Sequence, residues 1–236
     1  MLIGSDYPKI ELSLFCLDLM EPNAMLGDLV LCFLSLFFAF KVSRIPIKST
    51  FFIAWKWFFV IFGVGFFLGG LGHLMYNYWG VAGKYPSWYL GIISVFFVER
   101  AMISIHPSER FVRALNLIVF IKLTLAIITA TAVFVLLDIK TDTSVGLRVP
   151  SFNSAVGLFF SLGCLAVFYY KTISPVFILF LISAFVLVPA GFFQLMKISF
   201  HQWFDKNDAS HLLLIASLFL YFCGVKAYQK HLLYNC

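Results

Sequence analysis

HQWFDKNDASHLLLIASLFLYFCGVKAY, residues 201–228, joins a polar opening to a long apolar run. The part from 212 to 225 carries no charge, and with its flanks it reaches the roughly 20 apolar residues that a membrane-spanning helix needs. Asn207 and Asp208 lie four and three residues before His211, so on a helix all three share roughly one face of the first turns. The pattern predicts a spanning helix whose opening is either a well-capped helix start or a functional site at the lipid boundary.

The rest of the chain has the same apolar character. Hydrophobic residues make up 62% of it, charged residues only 12%, and the mean hydropathy is +0.97, which is typical of an integral membrane protein. The apolar segments are continuous and do not alternate as barrel strands do, and unpaired backbone cannot face lipid, so helices are predicted. Seven segments are long enough to span: 24–42, 51–75, 88–105, 114–137, 155–170, 175–196 and 207–228.

The connections between these segments are too short for a further domain, so residues 1–236 are predicted to form one all-α domain with seven transmembrane helices. Residues 1–23 carry four acidic residues against one lysine and are interpreted as a non-cytoplasmic segment on the membrane surface. A cleavable signal peptide is not expected, because this segment is acidic. The five cysteines form no CxxC pair and are interpreted as packing residues.

Basic residues concentrate on one side of the predicted membrane. The first and third connections and the C-terminal tail are basic, and the whole of that side carries a net charge of +8 against −3 on the other. The positive side is predicted to be cytoplasmic, which places the N-terminus outside and the C-terminus inside. The basic balance is therefore a topology signal and does not indicate a nucleic-acid partner. The expected location is the plasma (inner) membrane and the expected partners are membrane lipids.

Polar residues gather at the non-cytoplasmic ends of the first, second and seventh predicted helices. Ionisable groups at membrane depth are costly, about 2.5–3.5 kcal/mol for a central Asp, and they tend to pair and to carry function. Two simpler interpretations remain open: Asp208 can cap the last helix, and His73 can bond a neighbouring carbonyl. The candidate site residues are Glu21, Asp28, His73, Asn207, Asp208 and His211.

Three other features favour structural interpretations. Glu99 and Lys122 can form a buried pair, although snorkelling of Lys122 to the interface is the simpler expectation. The glycines between residues 63 and 72 suit close helix packing. The five tryptophans fall near helix ends, as an interfacial aromatic belt would place them.

Two segments carry a family resemblance. FFLGGLGHLMYN (66–77) and SHLLLIASLFLYFCGV (210–225) resemble the superfamily that joins the alkaline ceramidases with the progestin and adipoQ receptors, including the haemolysin-III-like proteins. The resemblance implies seven helices and a zinc ion held by three histidines, one ending helix two and two in helix seven. It also implies a serine one turn before the first histidine and a nearby aspartate.

The resemblance carries over to some positions and not to others. His73 matches the helix-two histidine and His211 the second helix-seven histidine, whereas Gly69 stands at the serine and Asn207 at the first helix-seven histidine. The start of the third helix offers no aspartate. A carboxylate from Asp208, Glu21 or Asp28 can complete a two-histidine, one-carboxylate zinc set of the kind that hydrolytic enzymes use.

Two function hypotheses follow. In the first, the protein is a zinc-dependent membrane hydrolase of a lipid amide or ester, with His73, His211, Asp208 and Asn207 as candidate ligands and Asp28, Asp208 or Glu21 as the general base. In the second, the same histidines and carboxylates form a metal-free sensor or binding site that responds to protons or to a ligand. The missing serine and histidine favour the second hypothesis, and the retained histidines with several carboxylates favour the first.

Overall fold

A computed structural model describes residues 1–234, most of which are helical. Within that part of the chain a π-helical turn over Phe159–Leu165 joins two of the helices, and 3-10 turns over Gly80–Lys84 and Pro175–Phe177 precede two others. The α-helices are α1 (Pro22–Ser43), α2 (Thr50–Leu74), α3 (Tyr76–Trp79), α4 (Tyr85–Ile103), α5 (Glu109–Leu136), α6 (Thr143–Leu158), α7 (Ala166–Thr172), α8 (Ile178–Leu195) and α9 (Lys206–Tyr234).

Six helical units are long and apolar enough to cross a membrane, as expected for an all-α membrane protein. They are α1, α2, α5, the continuous unit from α6 to α7, α8 and α9. The remaining predicted span corresponds to α4, which has 19 residues. It is less apolar than the others because its first turn is rich in polar and interfacial residues and because Glu99 and Arg100 lie near its end.

The helices pack side by side in a closed order. α1 lies between α2 and α9, α2 contacts α4, α4 contacts α5 and α6, and α8 contacts both the π-helical turn and α9. Aromatic side chains fill the interior, and Trp55 stacks on Phe180 there. The interfacial interpretation of Trp55 is therefore wrong, because this side chain is fully buried, whereas Trp57, Trp79 and Trp203 are exposed as expected.

The fifth predicted span began too late. The prediction started it at residue 155, whereas α6 begins at Thr143, where Asp142 accepts a hydrogen bond from the Ser144 N–H. Arg148 and Pro150 made the first turns of α6 look like a loop in the sequence. The arginine interrupts the apolar run, and proline has no N–H to donate to the backbone hydrogen bonds of a helix. The chain stays helical through Pro150 and then widens into the π-helical turn, a geometry that appears mostly as short insertions in α-helices.

The N-terminal segment contains a β-hairpin that the all-α prediction missed. β1 (Glu11–Leu14) pairs antiparallel with β2 (Leu17–Met20), with Leu14 opposite Leu17. The two loop residues, Phe15 and Cys16, both have positive φ, as the favoured two-residue hairpin turns require. Neither is Gly, Asn or Asp, so the usual sequence signal for this turn is missing.

The hairpin is held against the end of the helix bundle. Tyr78 accepts a hydrogen bond from the Asp18 N–H at 2.9 Å, and Asn77 donates to the Asp18 carbonyl at 3.1 Å. Upstream, Leu2 exchanges two backbone hydrogen bonds with Ser199. Residues 1–20 therefore cover the end of the bundle where α1 and α9 begin and α2 ends.

Candidate functional site

A polar cluster lies beneath this N-terminal segment. Its first member, Glu21, directly precedes α1 in the left-handed backbone region, at φ 49°. Its N–H donates to the Ile10 carbonyl at 2.9 Å, and its own carbonyl accepts from the Met25 N–H. Pro22 then opens the helix, where its missing N–H costs nothing. The result is a carboxylate only 6% exposed and directed toward the end of α2.

Glu21 pairs with His73 and with two lysines. His73 Nδ1 lies 2.7 Å from Glu21 Oε2, so the imidazole N–H donates to the carboxylate. Lys9 donates to the other carboxylate oxygen. Lys84, just before α4, lies 3.3 Å from His73 Nδ1 and 4.0 Å from Glu21 Oε2. One buried carboxylate therefore holds together the N-terminal segment, α2 and the start of α4.

The charges around Glu21 shift its pKa and those of its partners. Burial acts to raise the pKa of Glu21, but the hydrogen bond with His73 and the charges of Lys9 and Lys84 outweigh burial and hold the pKa below its usual range. Burial lowers the pKa of Lys84, which Glu21 offsets only in part. For Lys9, burial is outweighed by the attraction of Glu21, so its pKa is raised. Glu21 is thus ionised throughout the neutral range.

A second pair lies deeper, between α1 and α9. His211 Nε2 is 3.2 Å from Asp28 Oδ1, and Asp28 is only 2% exposed. Among the residues that the structure describes, the other polar atoms of this pair, Asp28 Oδ2 and His211 Nδ1, are buried without a hydrogen-bond partner. Gly27 permits the close approach, because a Cβ there would lie 2.5 Å from His211 Nδ1.

The unpartnered oxygen of Asp28 faces a small space between α2 and the start of α4. A Cβ placed on Gly69 would lie 3.7 Å from Asp28 Oδ2 and 3.6 Å from Ser87 Oγ, which are ordinary contact distances. A group of methyl size therefore fits beside Gly69 without displacing its neighbours. Ser87 Oγ itself donates to the Lys84 carbonyl at 2.8 Å.

Asp208 and Asn207 serve the start of α9. Asp205 accepts hydrogen bonds from the N–H groups of Asn207 and Asp208, at 2.7 and 3.3 Å, and Asp208 Oδ2 accepts from the Asp205 N–H at 2.9 Å. This reciprocal pattern is a capping box. Asn23 also donates to Asp208 Oδ2, whereas Asn207 Oδ1 accepts from Gln194 of α8.

The structure thus brings four of the six candidate residues together as two histidine–carboxyl pairs, His73 with Glu21 and His211 with Asp28. Asp208 adopts the capping role that the sequence left open, and Asn207 points its amide toward α8. Sequence reasoning missed Lys9 and Lys84. Both were placed on this side of the membrane by the charge count, but nothing in their spacing indicated that they reach Glu21.

These side chains do not fit a catalytic zinc centre. Within residues 1–234, no group of three or more His, Cys, Asp or Glu side chains has a geometry that could hold a metal ion. The ammonium group of Lys84 lies beside His73, where it would repel a metal cation, and Gly27 packs against the unpaired nitrogen of His211. Catalytic zinc usually has three protein ligands, and Asn207 and Asp208 are engaged at the helix start.

A separate polar cluster lies between α4, α5 and α6. Lys122 Nζ is 2.9 Å from Glu99 Oε1 and 3.0 Å from Asn153 Oδ1. The snorkelling expected for Lys122 is therefore wrong, because the lysine turns inward to a carboxylate that is 2% exposed. Gly157 provides the space, since a Cβ there would lie 2.9 Å from Lys122 Nζ.

Comparisons with known proteins identify a family. A family model described as "Family of unknown function (DUF6962)" matches residues 24–230, which is most of the chain. No curated protein and no solved structure matches the chain.

Proposed function

The chain belongs to this family of unknown function, and we propose that it is a metal-free membrane protein that binds a polar lipid at the His73–Glu21 and His211–Asp28 cluster. The observation that carries the proposal is the buried, unpartnered Asp28 Oδ2 beside Gly69. Buried polar atoms in folded proteins almost always have a hydrogen-bond partner, so one without a partner in the protein indicates a missing water or ligand.

The chemistry of the cluster favours a ligand with hydrogen-bond donors. An ionised carboxyl accepts hydrogen bonds and a protonated one also donates, so a hydroxyl or an amide group can pair with Asp28 Oδ2 in either state. The neighbouring charges are already balanced, since Lys9 and Lys84 face Glu21 and Lys9 also lies 3.8 Å from Asp205. The pair of His211 and Asp28 is neutral as a unit whichever partner holds the proton. An uncharged headgroup therefore adds no unbalanced charge. The ligand class is an N-acylated amino alcohol, a related lipid amide, or a lipid ester that carries a free hydroxyl.

The space beside Gly69 supports access from the lipid. Gly69 is partly exposed, and the glycine-rich end of α2 packs closely on α1 and α4. On the water side, beneath the N-terminal segment, a cavity of about 10 Å³ lies beside Lys9 and Glu21, the size of one water molecule. A ligand group that approaches between α2 and α4 needs no movement of that segment.

We extend the proposal to the membrane topology of the chain and to its superfamily resemblance. We place seven spans in the plasma membrane, with α4 as the least apolar, the N-terminus outside and the C-terminus inside. The net positive charge of the residues on the side of the C-terminus supports this orientation. The resemblance to the ceramidase and adipoQ-receptor superfamily is part of the proposal, and it is supported by Phe66 of α2, which packs edge-on against His211 of α9.

Zinc-dependent hydrolysis of a lipid amide or ester stays a competing prediction. One observation is compatible with it: carboxylates orient both imidazoles, and metal-binding histidines are usually held in the same way. It requires a further ligand at this place, and the Lys84 ammonium group opposes a metal cation there. The metal-free function agrees better with this arrangement.

The test is ligand-induced stabilisation of the full chain in detergent. A short-chain N-acyl amino alcohol at 100 times its Kd is expected to stabilise the wild type by about 2.7 kcal/mol, seen as a higher Tm. Gly69→Ala fills the space beside Asp28 and is expected to abolish the shift while leaving the fold intact, because the added methyl meets only ordinary contacts. Asp28→Asn is expected to reduce the shift as well.

The matched control is Gly91→Ala. A Cβ on Gly91 meets no atom within 4 Å, so this variant adds the same methyl to α4 one turn beyond Ser87 without a contact to the cluster. The proposal expects Gly91→Ala to respond like the wild type. An equal rise in Tm in all four proteins would place the lipid elsewhere and overturn the proposal.

A further inference from the structure

A second feature at the opposite end of the bundle has no role in the proposed function. An open cavity of about 340 Å³ lies on the lipid-facing side between α4 and α5. Its volume is in the range of small-molecule sites. It is lined by Phe96 and Arg100 of α4 and by Asn116, Leu117 and Phe120 of α5.

The cavity contains an arginine without an acidic partner. Among residues 1–234, no carboxylate lies within ion-pairing distance of Arg100, which is exposed and has its guanidinium 5.7 Å from the centre of the Phe96 ring. An ionised side chain within a spanning helix is costly unless it reaches water or a counter-charge. A phosphate is a suitable counter-charge, because a guanidinium can donate to it in a bidentate manner.

Asn116 supplies a second polar group in the same cavity. Among the described residues its Oδ1 has no hydrogen-bond partner although it is buried. The NH₂ group of Asn116 can donate to a phosphate or hydroxyl oxygen of a ligand in the cavity. The remaining lining residues, Phe96, Leu117 and Phe120, offer an apolar wall to an acyl chain.

The depth of the cavity corresponds to a headgroup region. Arg100 lies three residues before the end of α4, and Asn116 lies seven residues, or about 10 Å, into α5. The connection between the two helices leads to Arg110, which is exposed at the start of α5. This is the basic side of the molecule, and basic pockets between helices on that side attract anionic lipid headgroups.

We propose that the cavity between α4 and α5 binds an anionic phospholipid of the adjoining leaflet, with Arg100 on the phosphate, Asn116 on the headgroup and the acyl chains along Leu117 and Phe120. This site is independent of the cluster at Asp28. The ligand of this site differs too. The positive charge of Arg100 favours an anionic phosphate, whereas the cluster at Asp28 favours an uncharged headgroup.

Native mass spectrometry of the full chain in detergent tests the proposal. The protein is titrated with phosphatidylglycerol and, separately, with phosphatidylcholine of identical acyl chains. The first has headgroup hydroxyls and a net negative charge, and the second has neither. Phosphatidylglycerol is expected to bind at least about tenfold more tightly, a difference of about 1.4 kcal/mol.

Three variants locate the site. Arg100→Gln is expected to remove most of the preference, Asn116→Leu part of it, and Arg100→Lys is expected to retain more of it than Arg100→Gln. The control is Arg113→Gln, which removes one exposed positive charge at the same end without changing the cavity lining. It is expected to bind phosphatidylglycerol like the wild type.

Three results would overturn the proposal. Equal affinity for the two lipids in the wild type would mean that neither the charge nor the hydroxyls are recognised. An equal loss in Arg100→Gln and Arg113→Gln would mean attraction to the general positive charge of this end. Competition by glycerol phosphate without acyl chains, at the same concentration as the lipid, would also contradict a lipid site.

Discussion

Glu21 shows how one residue can organise several elements. It accepts from Lys9 and His73 and lies 4.0 Å from Lys84, so a single buried carboxylate links the N-terminal segment, the end of α2 and the turn before α4. Its left-handed backbone directs the side chain inward while Pro22 starts the helix. A carboxylate with three basic partners stabilises the contacts between these elements and is also part of the candidate site.

The depressed pKa of Glu21 makes stability depend on pH. Because its folded pKa lies below the ordinary 4.5, Glu21 contributes stability that is present above pH 4.5 and is lost as the pH falls toward the folded pKa. The Tm in detergent is therefore expected to fall between pH 5 and pH 3, and Glu21→Gln is expected to lower the Tm at pH 7 and to flatten this acid limb. Circular dichroism melts across that range measure both effects.

The control for this prediction is Glu11→Gln. Glu11 is exposed on β1, away from the cluster, so its neutralisation is expected to leave the wild-type acid limb unchanged. If Glu21→Gln retains the full pH dependence of the wild type, the ion pairs of Glu21 do not contribute to stability.

Lys122 provides a second test at the scale of single residues. Its replacement by Met leaves Glu99 buried without a cation, and breaking a buried pair on one side typically costs about 3–5 kcal/mol. Lys122→Met is expected to lower the unfolding free energy by that amount in denaturant titrations of the detergent-solubilised protein.

The double variant Glu99→Gln/Lys122→Met removes both charges. It is expected to recover much of the lost stability, because replacing a whole buried pair is often nearly neutral. A double variant no more stable than the Lys122→Met protein would indicate that Lys122 supports the helices through packing and its hydrogen bond to Asn153 rather than through Glu99.

Sequence reasoning at the residue scale found acidic and histidine members of the site but not their roles. Glu21, Asp28, His73 and His211 could be predicted because helix order places them at one end of the bundle. The pairing could not, because it depends on side-chain directions across three helices. Lys9 and Lys84 lie outside the helices, so no periodicity placed them. Asp208 was ambiguous, since one carboxylate can cap a helix or bind a ligand.

At the scale of elements, the start of α9 can be tested by its cap. Asp205→Ala removes the acceptor for the N–H groups of Asn207 and Asp208, and loss of such a cap costs about 1 kcal/mol. Hydrogen exchange of the amides at 206–209 is expected to become faster, with the rest of α9 protected.

The matched change is Asp142→Ala, which removes the corresponding cap of α6. It is expected to speed exchange near Ser144 and to leave 206–209 unchanged. If Asp205→Ala leaves exchange at 206–209 at the wild-type rate, the cap does not stabilise the start of α9.

The helices were predictable to the extent that apolar runs defined them. The first span, predicted at 24–42, corresponds to α1 at Pro22–Ser43. The agreement is close because a long apolar segment with few polar residues shows clearly where a spanning helix begins and ends. The start of α6 was missed since Arg148 and Pro150 interrupt the run, and the hairpin was missed since Phe15 and Cys16 are unusual turn residues. In both places tertiary packing overrides the local signal.

At the scale of the whole molecule, the orientation in the membrane is open to a labelling test. Cys16 is exposed in the hairpin loop and Lys48 is exposed between α1 and α2, on opposite sides in the proposed topology. In a background that lacks the other cysteines, an impermeant maleimide is expected to label Cys16 on intact cells. The Lys48→Cys variant, with Cys16 also replaced, is expected to react only after permeabilisation.

The four other cysteines are replaced so that only the cysteine under test can react. Cys164 and Cys223 are exposed within helices, Cys32 is buried, and Cys236 lies outside the described residues. Labelling at position 48 but not at Cys16 on intact cells would reverse the proposed orientation. It would also place the cluster around Glu21 on the cytoplasmic side.

The central claim is that the histidine and carboxylate cluster works without a metal, and its most direct test is the metal content of the purified protein by elemental mass spectrometry. The wild type and a His73→Ala/His211→Ala variant are measured after dialysis against zinc and removal of excess. We predict no stoichiometric metal in either protein, because within residues 1–234 no third ligand joins the two histidines and Lys84 adds positive charge beside His73. Near-stoichiometric zinc in the wild type that disappears in the variant would contradict the account and support a metal-dependent hydrolase.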